Sequence, residues 1–302
     1  MEIFKRPTEI DFMGKKNIAL MFSATLFLIG LVSIILHGGL KYGIDFAGGT
    51  LVQLQFKTPP AVESIRDGLK SVGFGDSTIQ EFGSKNDILI RVQQSQEKLE
   101  DVGNQVKNSL KDKFNLDDIV VERVEMVGPK VGKDLREKAL LSIVYAIIGI
   151  LIYVSWRFEV QYAIGAVIAL IHDVVITMGA FSIFDKEFSL VVVAGFLTLI
   201  GYSLNDTIVI FDRIRENMRR RGKASLSELI NGSINQTLSR TILTSGTTLL
   251  VIVALFFLGG EIIHDFSFTL LFGIIIGTYS SIFIASVFLI YWETKFKARK
   301  TA

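Results

Sequence analysis

The stretch "VQYAIGAVIALIHDVVITMGAFSIF" (residues 160–184) is apolar over nearly its whole length. Its only residues of the His, Asp, Glu, Lys or Arg types are His172 and Asp173. An α-helix needs about 20 predominantly apolar residues to cross a hydrocarbon core roughly 30 Å thick. The stretch therefore predicts a membrane-spanning helix with two polar residues near its centre.

Five more stretches have the same character, and 50% of the 302 residues are hydrophobic. They are Ile18–Leu36, Ala139–Trp156, Phe188–Phe211, Thr241–Gly260 and Phe266–Trp292. The sequence thus predicts a polytopic α-helical membrane protein with six transmembrane helices. Lys15 and Lys16 precede the first stretch as in a signal peptide, but it is long for that role and "LHGGLKYG" after it offers no cleavage site. We expect an uncleaved anchor.

The distribution of Lys and Arg predicts the orientation, because cytoplasmic loops carry an excess of both. With a cytoplasmic N-terminus, the inner segments hold 16 of these residues, whereas the short outer loops 185–187 and 261–265 hold only Lys186. Both termini are therefore expected in the cytoplasm. The predicted domains are 1–36 (cytoplasmic N-terminus and first helix), 37–137 (periplasmic) and 138–302 (helices 2–6, a basic cytoplasmic loop at 212–240 and a cytoplasmic tail).

The segment 37–137 alternates between strand and helix signals. "TLVQLQF" (50–56), "STIQEF" (77–82), "DILIRV" (87–92) and "DIVVERVEMV" (118–127) predict strands. Helices are predicted after the prolines that precede Val62 and over about 95–113, and a Gly-Ser-Lys-Asn turn is predicted between the middle strands. The order β-α-β-β-α-β predicts an α+β ferredoxin-like domain.

No constellation typical of catalysis is present in the sequence. There is no Cys in the chain and no His between residues 38 and 171. Walker A, HExxH and G-x-S-x-G motifs are also missing. We expect no enzyme activity, no metal and no cofactor, and an electrochemical energy source. For the domain at 37–137 a binding or lever-like role is favoured, and a passive spacer remains open.

The stretch "GYSLNDTIVIFDRIREN" (201–217) places Asp206 in a membrane-spanning segment. Because Asp206 precedes Asp212 by six residues, it lies roughly 9 Å inside the inner end of the helix. An Asp at the centre of a span costs about 2.5–3.5 kcal/mol to insert, and such residues normally mark functional sites. Tyr202 and Asn205 are expected to hydrogen-bond the carboxylate. The alternative is an interface anchor that meets water.

His172 and Asp173 lie near the middle of the bilayer, so anchoring at the interface cannot explain them. A polar clamp between helices and a member of a proton relay remain open. An intramembrane hydrolase using this pair would need a nucleophile motif, and none is found.

Arg240 begins the fifth span and is predicted at the depth of Asp206. It either snorkels to the inner surface or pairs with Asp206 in a contact that depends on protonation. Burial in a low dielectric favours a neutral carboxyl group, whereas a nearby guanidinium favours the carboxylate. Movement of Arg240 would therefore change whether Asp206 holds a proton. One charge crossing the membrane carries about 2.3 kcal/mol per 100 mV.

Two further patterns concern packing and surface charge. "GIIIG" (273–277) and "TILTSGTT" (241–248) offer small and hydroxyl side chains of the kind that join membrane helices. "RIRENMRRRGKASLSELI" (213–230) is basic, and its Ser225 and Glu228 have the spacing of a capping box. Anionic lipid headgroups are the expected partner of this segment, and nucleic acid is disfavoured.

Four motifs together resemble the SecF family of the bacterial Sec export machinery. They are "GIDFAGGT" (43–50), "VGPKVGKDL" (127–135), "GYSLNDTIVIFDRIREN" (201–217) and "NQTLSRTILTSGTT" (235–248). The resemblance implies that Asp206 and Arg240 conduct protons alongside an acidic residue from SecD. His172 and Asp173 are accessory candidates, as are Tyr202 and Asn205.

The resemblance also implies partners and an energy source. SecF and SecD belong to the resistance–nodulation–division (RND) superfamily, and their helices form one bundle beside the SecYEG translocon in the bacterial inner membrane. The proton motive force would drive periplasmic domains that assist release of the preprotein. Two alternatives remain: an independent RND-type proton-coupled exporter of small molecules or lipids, and a scaffold with no proton role.

Overall fold

The computed structural model describes residues 8–75, 77–92, 99–220, 222 and 224–297. Several predictions lie outside these residues: the first residues of the helix predicted over 95–113, and the cations Lys5, Arg6, Arg221, Lys223, Arg299 and Lys300. The chain divides into two compact units. The first comprises Met1–Lys41, Leu141–Glu187 and Val191–Ala302, and the second comprises Tyr42–Leu140 and Phe188–Leu190.

The elements are as follows in chain order. They are α1 (Lys16–Leu36), α2 (Ile44–Ala47), β1 (Gly49–Phe56), α3 (Val62–Lys70), β2 (Thr78–Phe82), β3 (Ser84–Val92), α4 (Leu99–Ser109), β4 (Ile119–Val127), α5 (Pro129–Arg157), α6 (Val160–Ile183), α7 (Leu190–Arg219), α8 (Leu226–Leu258), α9 (Glu261–Ser280) and α10 (Ser286–Trp292). A π-helical segment, Ser281–Ala285, joins α9 to α10, and a second one, Glu293–Lys297, follows α10.

Within the described residues, six helical spans are long and apolar enough to cross a membrane, which confirms the predicted fold class. They are α1, α5, α6, α7, α8 and the continuous segment Ile263–Lys295. Three spans extend well beyond the apolar stretches. For example, α5 starts at Pro129, a residue type suited to the first helical position, and α8 starts at Leu226. Hydropathy detects only the part of a helix that lies in the hydrocarbon core. The hydrogen-bonded helix continues beyond that part into the adjoining polar segments.

The capping box predicted for Ser225 and Glu228 sets the start of α8. The Ser225 hydroxyl accepts from the Glu228 amide, and the Glu228 carboxylate accepts from the Ser225 amide. These two bonds satisfy backbone donors that the first turn of a helix leaves unpaired.

The spans differ greatly in how much of their surface is covered. The most apolar window is 61% buried in α6, 56% in the Ile263–Lys295 span and 50% in α7. The corresponding values are only 17% in α1, 17% in α8 and 11% in α5. The first three spans therefore form the interior of the unit, and the other three expose apolar faces.

Glycines set the closest helix approaches. A Cβ on Gly30 of α1 would lie 2.9 Å from the Cα of Gly179 in α6. A Cβ on Gly273 would lie 2.4 Å from a Leu199 methyl carbon, and one on Gly277 would lie 2.9 Å from the Ser203 hydroxyl. The small residues of "GIIIG" thus allow α9 to pack closely against α7, as the pattern predicted.

The second unit contains a four-stranded antiparallel sheet in the order β2-β3-β1-β4. Its fully buried core includes Val52 and Leu54 of β1, Ile65 of α3, Ile90 of β3 and Val106 of α4. The element order β-α-β-β-α-β confirms the predicted ferredoxin-like arrangement. Alternate residues of β1 are buried because successive strand side chains point to opposite faces.

The turn between β2 and β3 is tighter than the four residues predicted. Gly83 alone adopts a positive φ, 71°, and β3 already begins at Ser84. The reason lies in Asn86, whose side-chain amide donates to the carbonyl groups of Phe56 and Lys57. These bonds hold the start of β3 against the end of β1.

Candidate functional site

Asp206 is buried in the helical unit, with only 3% of its surface exposed. Its Oδ2 accepts a hydrogen bond from the Ser245 hydroxyl of α8 at 2.8 Å, and Thr244 approaches Oδ1 at 3.5 Å. The hydroxyl of Thr278 in α9 donates to the Ser245 oxygen at 3.0 Å. The carboxyl group of α7 is therefore surrounded by hydroxyl groups from two neighbouring helices.

Arg240 lies near this carboxyl group but faces a different environment. It is exposed and lines an open cleft of about 360 Å³ between α7 and α8. The cleft is lined by Asn205, Ile208, Val209, Asp212, Arg213, Glu216, Gln236, Thr237 and Arg240. Among the described residues, no ion pair within 4.0 Å joins Asp206 to Arg240. The carboxyl group contacts the buried hydroxyls, whereas the guanidinium group borders the cleft.

Tyr202 and Asn205 make contacts other than those expected. The Tyr202 hydroxyl donates to the Thr248 hydroxyl of α8 at 3.2 Å. Asn205 is exposed and lines the cleft beside Arg240. Tyr202 therefore joins α7 to α8 one turn away from Asp206, and Asn205 brings an amide to the cleft.

His172 and Asp173 lie in a second polar cluster with different partners. Asp173 is only 1% exposed, and its Oδ2 accepts hydrogen bonds from Ser203 at 2.6 Å and Ser280 at 2.9 Å. Its Oδ1 lies 3.0 Å from Nδ1 of His172, and Nε2 of His172 lies 3.1 Å from the Ser23 hydroxyl. These bonds join α1, α6, α7 and α9, which is the geometry expected of a clamp between helices.

The sequence predicted the acids but not their partners. Ser245 and Thr244 were expected to pack helices, and in the structure they face Asp206. Ser280 belongs to the small-residue run that was predicted to pack the sixth helix, and the sequence gives no reason to pair either Ser203 or Ser280 with Asp173, because a serine in an apolar helix commonly bonds to its own backbone. The hydroxyl residues of "TILTSGTT" (241–248), "TYSS" (278–281) and "GYSLND" (201–206) are the signal in the sequence that could have indicated these contacts.

Metal ligation finds no support among the residues that the structure describes. In that part of the chain, no group of three or more His, Cys, Asp or Glu residues is placed to hold a metal ion.

The basic residues at the end of α7 are partly neutralised by neighbouring acids. Arg213 pairs with Glu216 at 2.8 Å, and Arg215 pairs with Asp212 at 3.0 Å. The guanidinium group of Arg215 also lies over the Phe158 ring, 4.8 Å from its centroid. Arg220 keeps 80% of its side chain exposed.

Six membrane-spanning helices in the described part of the chain, a small antiparallel sheet domain and an acid buried among helices define a multi-pass membrane protein. The comparisons with known proteins place it among the protein-export membrane proteins. The family model "Protein export membrane protein SecD/SecF, C-terminal" matches residues 105–295, and the "SecD/SecF GG Motif" matches residues 33–60. The chain belongs to the SecF family.

Individual relatives support the same assignment. The chain is 50% identical to protein translocase subunit SecF of Desulfurispirillum indicum over 95% of this chain and 93% of that protein. It is 46% identical to protein translocase subunit SecF of Vibrio alginolyticus over 94% of this chain and 90% of that protein. The crystal structure of SecDF, a translocon-associated membrane protein from Thermus thermophilus, has a TM-score of 0.86 and 34% identity. That match covers 98% of this chain and 40% of the SecDF chain.

Proposed function

We propose that this chain is the SecF-type subunit that works with a SecD-type partner to drive late steps of preprotein translocation with the proton motive force. The observation that carries the proposal is the position of Asp206. Its carboxyl group is buried among hydroxyls, while Arg240 borders an open cleft on the neighbouring face of the same pair of helices. Family membership supports the assignment to protein export.

The arrangement suggests how proton binding moves helices. A protonated Asp206 is neutral and is satisfied by Ser245 and its neighbours. Loss of the proton leaves a buried negative charge on Asp206. This charge attracts the guanidinium group of Arg240, because the attraction between opposite charges is strong in a low dielectric. Drawing Arg240 toward Asp206 would close the cleft between α7 and α8. The gradient supplies about 2.3 kcal/mol per charge per 100 mV, enough to bias such an equilibrium.

This function needs no chemical step. The protein therefore acts without enzyme activity and without a resident cofactor, and the proton gradient is its energy source.

A SecD-type partner fits the exposed faces of the spans. α1, α5 and α8 each bury less than a fifth of their most apolar windows. The relative described as SecDF contains this fold within a longer chain, of which the match covers 40%. A second set of helices would cover part of the exposed apolar surface and part of the cleft that holds Arg240.

Location and further partners follow from the same proposal. The protein lies in the bacterial inner membrane with both termini in the cytoplasm, beside the SecYEG translocon. The small sheet unit then faces the periplasm, where it meets the emerging preprotein. Arg220, an exposed cation just after α7, would lie near anionic lipid headgroups.

Export into inverted membrane vesicles tests the proposal. Asp206→Asn keeps the shape and hydrogen bonding of the side chain but cannot carry a negative charge, so gradient-dependent export should fall by about tenfold or more while the partner still co-purifies. Asp185→Asn, a change to an exposed acid in the loop after α6 and away from the cleft, is the control and should leave export within twofold. Undiminished export by Asp206→Asn would refute the proton role. A self-sufficient assembly without a six-helix partner would favour an independent exporter.

A further inference from the structure

His172 lies in a row of hydrogen bonds that joins α1, α6 and α9. Its Nδ1 atom is 3.0 Å from Oδ1 of Asp173, and its Nε2 atom is 3.1 Å from the Ser23 hydroxyl of α1. The Ser23 hydroxyl is 3.0 Å from the hydroxyl of Tyr279 in α9, which donates to the backbone carbonyl of Ala19. We name these five residues, from Ala19 through Tyr279, Ser23 and His172 to Asp173, the His172 row.

The direction of each hydrogen bond in the row follows from the first one. A backbone carbonyl can only accept, so the single hydrogen of the Tyr279 hydroxyl is directed at Ala19. The Tyr279 oxygen can then only accept, and the hydrogen between it and Ser23 must come from Ser23. Because Ser23 has no second hydrogen, its contact with His172 requires a hydrogen on Nε2.

The other nitrogen of the ring then requires a further proton. A neutral imidazole carries one hydrogen, and in the row that hydrogen is on Nε2. The 3.0 Å contact between Nδ1 and Oδ1 of Asp173 therefore needs a second proton, on one atom or the other. Without it, an ionised Oδ1 and a bare Nδ1 would face each other as two acceptors, and Asp173 is only 1% exposed. A buried acceptor that lacks a donor is costly.

The neighbouring contacts leave this requirement in place. Among the residues that the structure describes, the hydroxyls of Ser23 and Tyr279 form hydrogen bonds only within the row. Ser203 and Ser280 also donate to Asp173, but they do so at Oδ2, the oxygen that faces away from His172. The donors at Asp173 therefore cannot replace the proton between Nδ1 and Oδ1.

We propose that the His172–Asp173 pair is a proton-holding site, and that Ser23 and Tyr279 are the positioning residues that keep the proton there. They commit Nε2 of His172 to donation, so the pair retains one proton between Nδ1 and Oδ1. The pair then has no net charge, whichever atom holds the proton, and this suits a buried place in a membrane span. A pair that retains its proton joins helices and does not carry protons across. This site is separate from Asp206, and its proton does not depend on the proposed function.

The ring nitrogens of His172 report the proton directly. The full chain is labelled with ¹⁵N-histidine, reconstituted into lipid bilayers and studied by solid-state NMR, which separates a nitrogen that carries hydrogen from one that does not. The chain contains only three His residues, so the His172 signals are those that persist when His37 and His264 are replaced by Gln. We expect hydrogen on Nε2 near neutral pH. A bare Nε2 in the otherwise unaltered chain would overturn the proposal.

Tyr279→Phe tests the cause. The substitution removes the hydroxyl but keeps the ring, which packs against the rings of Phe22 and Phe283. Ser23 is then free to donate to Nε2, and the single ring hydrogen can move to Nδ1 beside an ionised Asp173. We expect the ratio of bare to protonated Nε2 to rise at least about tenfold, because the bond from Ser23 to Tyr279 no longer opposes this arrangement. A ratio within twofold of the unaltered chain would overturn the proposal.

Two further variants keep the test decisive. Tyr291→Phe removes the hydroxyl of an exposed tyrosine in α10 and should leave the ratio within twofold. An equal rise there would show that the effect does not come from the row. Asp173→Asn directs an amide at Nδ1, as a protonated acid would, and should keep the hydrogen on Nε2. If Tyr279→Phe fails to fold, Asp173→Asn decides, because a bare Nε2 in it refutes the direction of the row.

The readout separates this proposal from the proton role of Asp206. The spectra are recorded without a gradient and do not depend on export. Hydrogen on Nε2 combined with full export by Asp206→Asn would keep the proton-holding pair and refute the proposed function. A bare Nε2 combined with loss of export in Asp206→Asn would do the reverse.

Discussion

Replacing Asp173 separates the two roles that the sequence left open for it, a clamp between helices and a proton relay. Its carboxylate accepts from Ser203 at 2.6 Å and from Ser280 at 2.9 Å, and it lies 3.0 Å from His172. Asparagine can keep its oxygen toward the two serines and direct its amide toward Nδ1 of His172, which accepts when the ring proton is on Nε2. Leucine removes all three contacts at similar volume.

The two substitutions differ in their expected cost. Hydrogen bonds between membrane helices contribute about 0.6 kcal/mol on average and up to about 1.7 kcal/mol. Three lost bonds therefore lower the free energy of unfolding of Asp173→Leu by about 2 kcal/mol, and by at most about 5 kcal/mol. Asp173→Asn loses only the extra strength that a charged acceptor gives to a hydrogen bond. We therefore expect its free energy of unfolding to fall by less than about 1 kcal/mol.

Unfolding of the purified protein in mixed micelles measures the free energy of unfolding and so tests the clamp. Gradient-dependent export per folded molecule tests the proton relay. Thr198→Val is a control, because that hydroxyl donates within its own helix to the carbonyl of Ala194. With Asp173 as a clamp, Asp173→Asn retains most of its export and Asp173→Leu loses stability. Complete loss of export in Asp173→Asn at an unchanged free energy of unfolding would refute the clamp, because only a proton carrier needs the titratable group.

Two further outcomes follow from the packing and the helix start. Gly179→Leu should destabilise the unit by about 1–3 kcal/mol, since a Cβ there already lies 2.8 Å from the Cα of Gly30; unchanged thermal unfolding would contradict that contact. Ser225→Ala should cost the first turn of α8 about 0.5–2 kcal/mol, seen as faster amide hydrogen exchange near Glu228, whereas equal exchange would show that the capping box contributes little.

The spans were predictable from sequence, but most of their ends were not; the capping box at the start of α8 is the exception. Hydropathy detects the part of a helix that lipid requires to be apolar, so it located the stretch from Thr241. The additional turns back to Leu226 are stabilised by the Ser225–Glu228 cap and by the hydrogen bonds of Asn231 and Asn235 to the segment at residues 8–13. Neither effect depends on hydrophobicity. The segment at residues 8–13 has no periodic pattern, and its hydrogen bonds to α8 are made largely by its backbone.

The candidate site was predictable as a set of residues and not as a set of contacts. Counting residues along antiparallel helices placed Asp206 and Arg240 near the same depth. It could not give the rotation of each helix about its axis, which directs Asp206 toward Ser245 and leaves Arg240 at the cleft. The serine partners of Asp173 come from two other helices, and their association depends on packing that a single sequence does not specify.

The 33 residues of α8 make a rod about 50 Å long, whereas the hydrocarbon core is only about 30 Å thick. A substantial part of the rod must therefore project into water. A tilt of about 10° about a pivot roughly 25 Å from the tip would displace that tip by about 4 Å. Subangstrom rearrangements around a buried carboxyl group can in this way become motions large enough for another protein to sense.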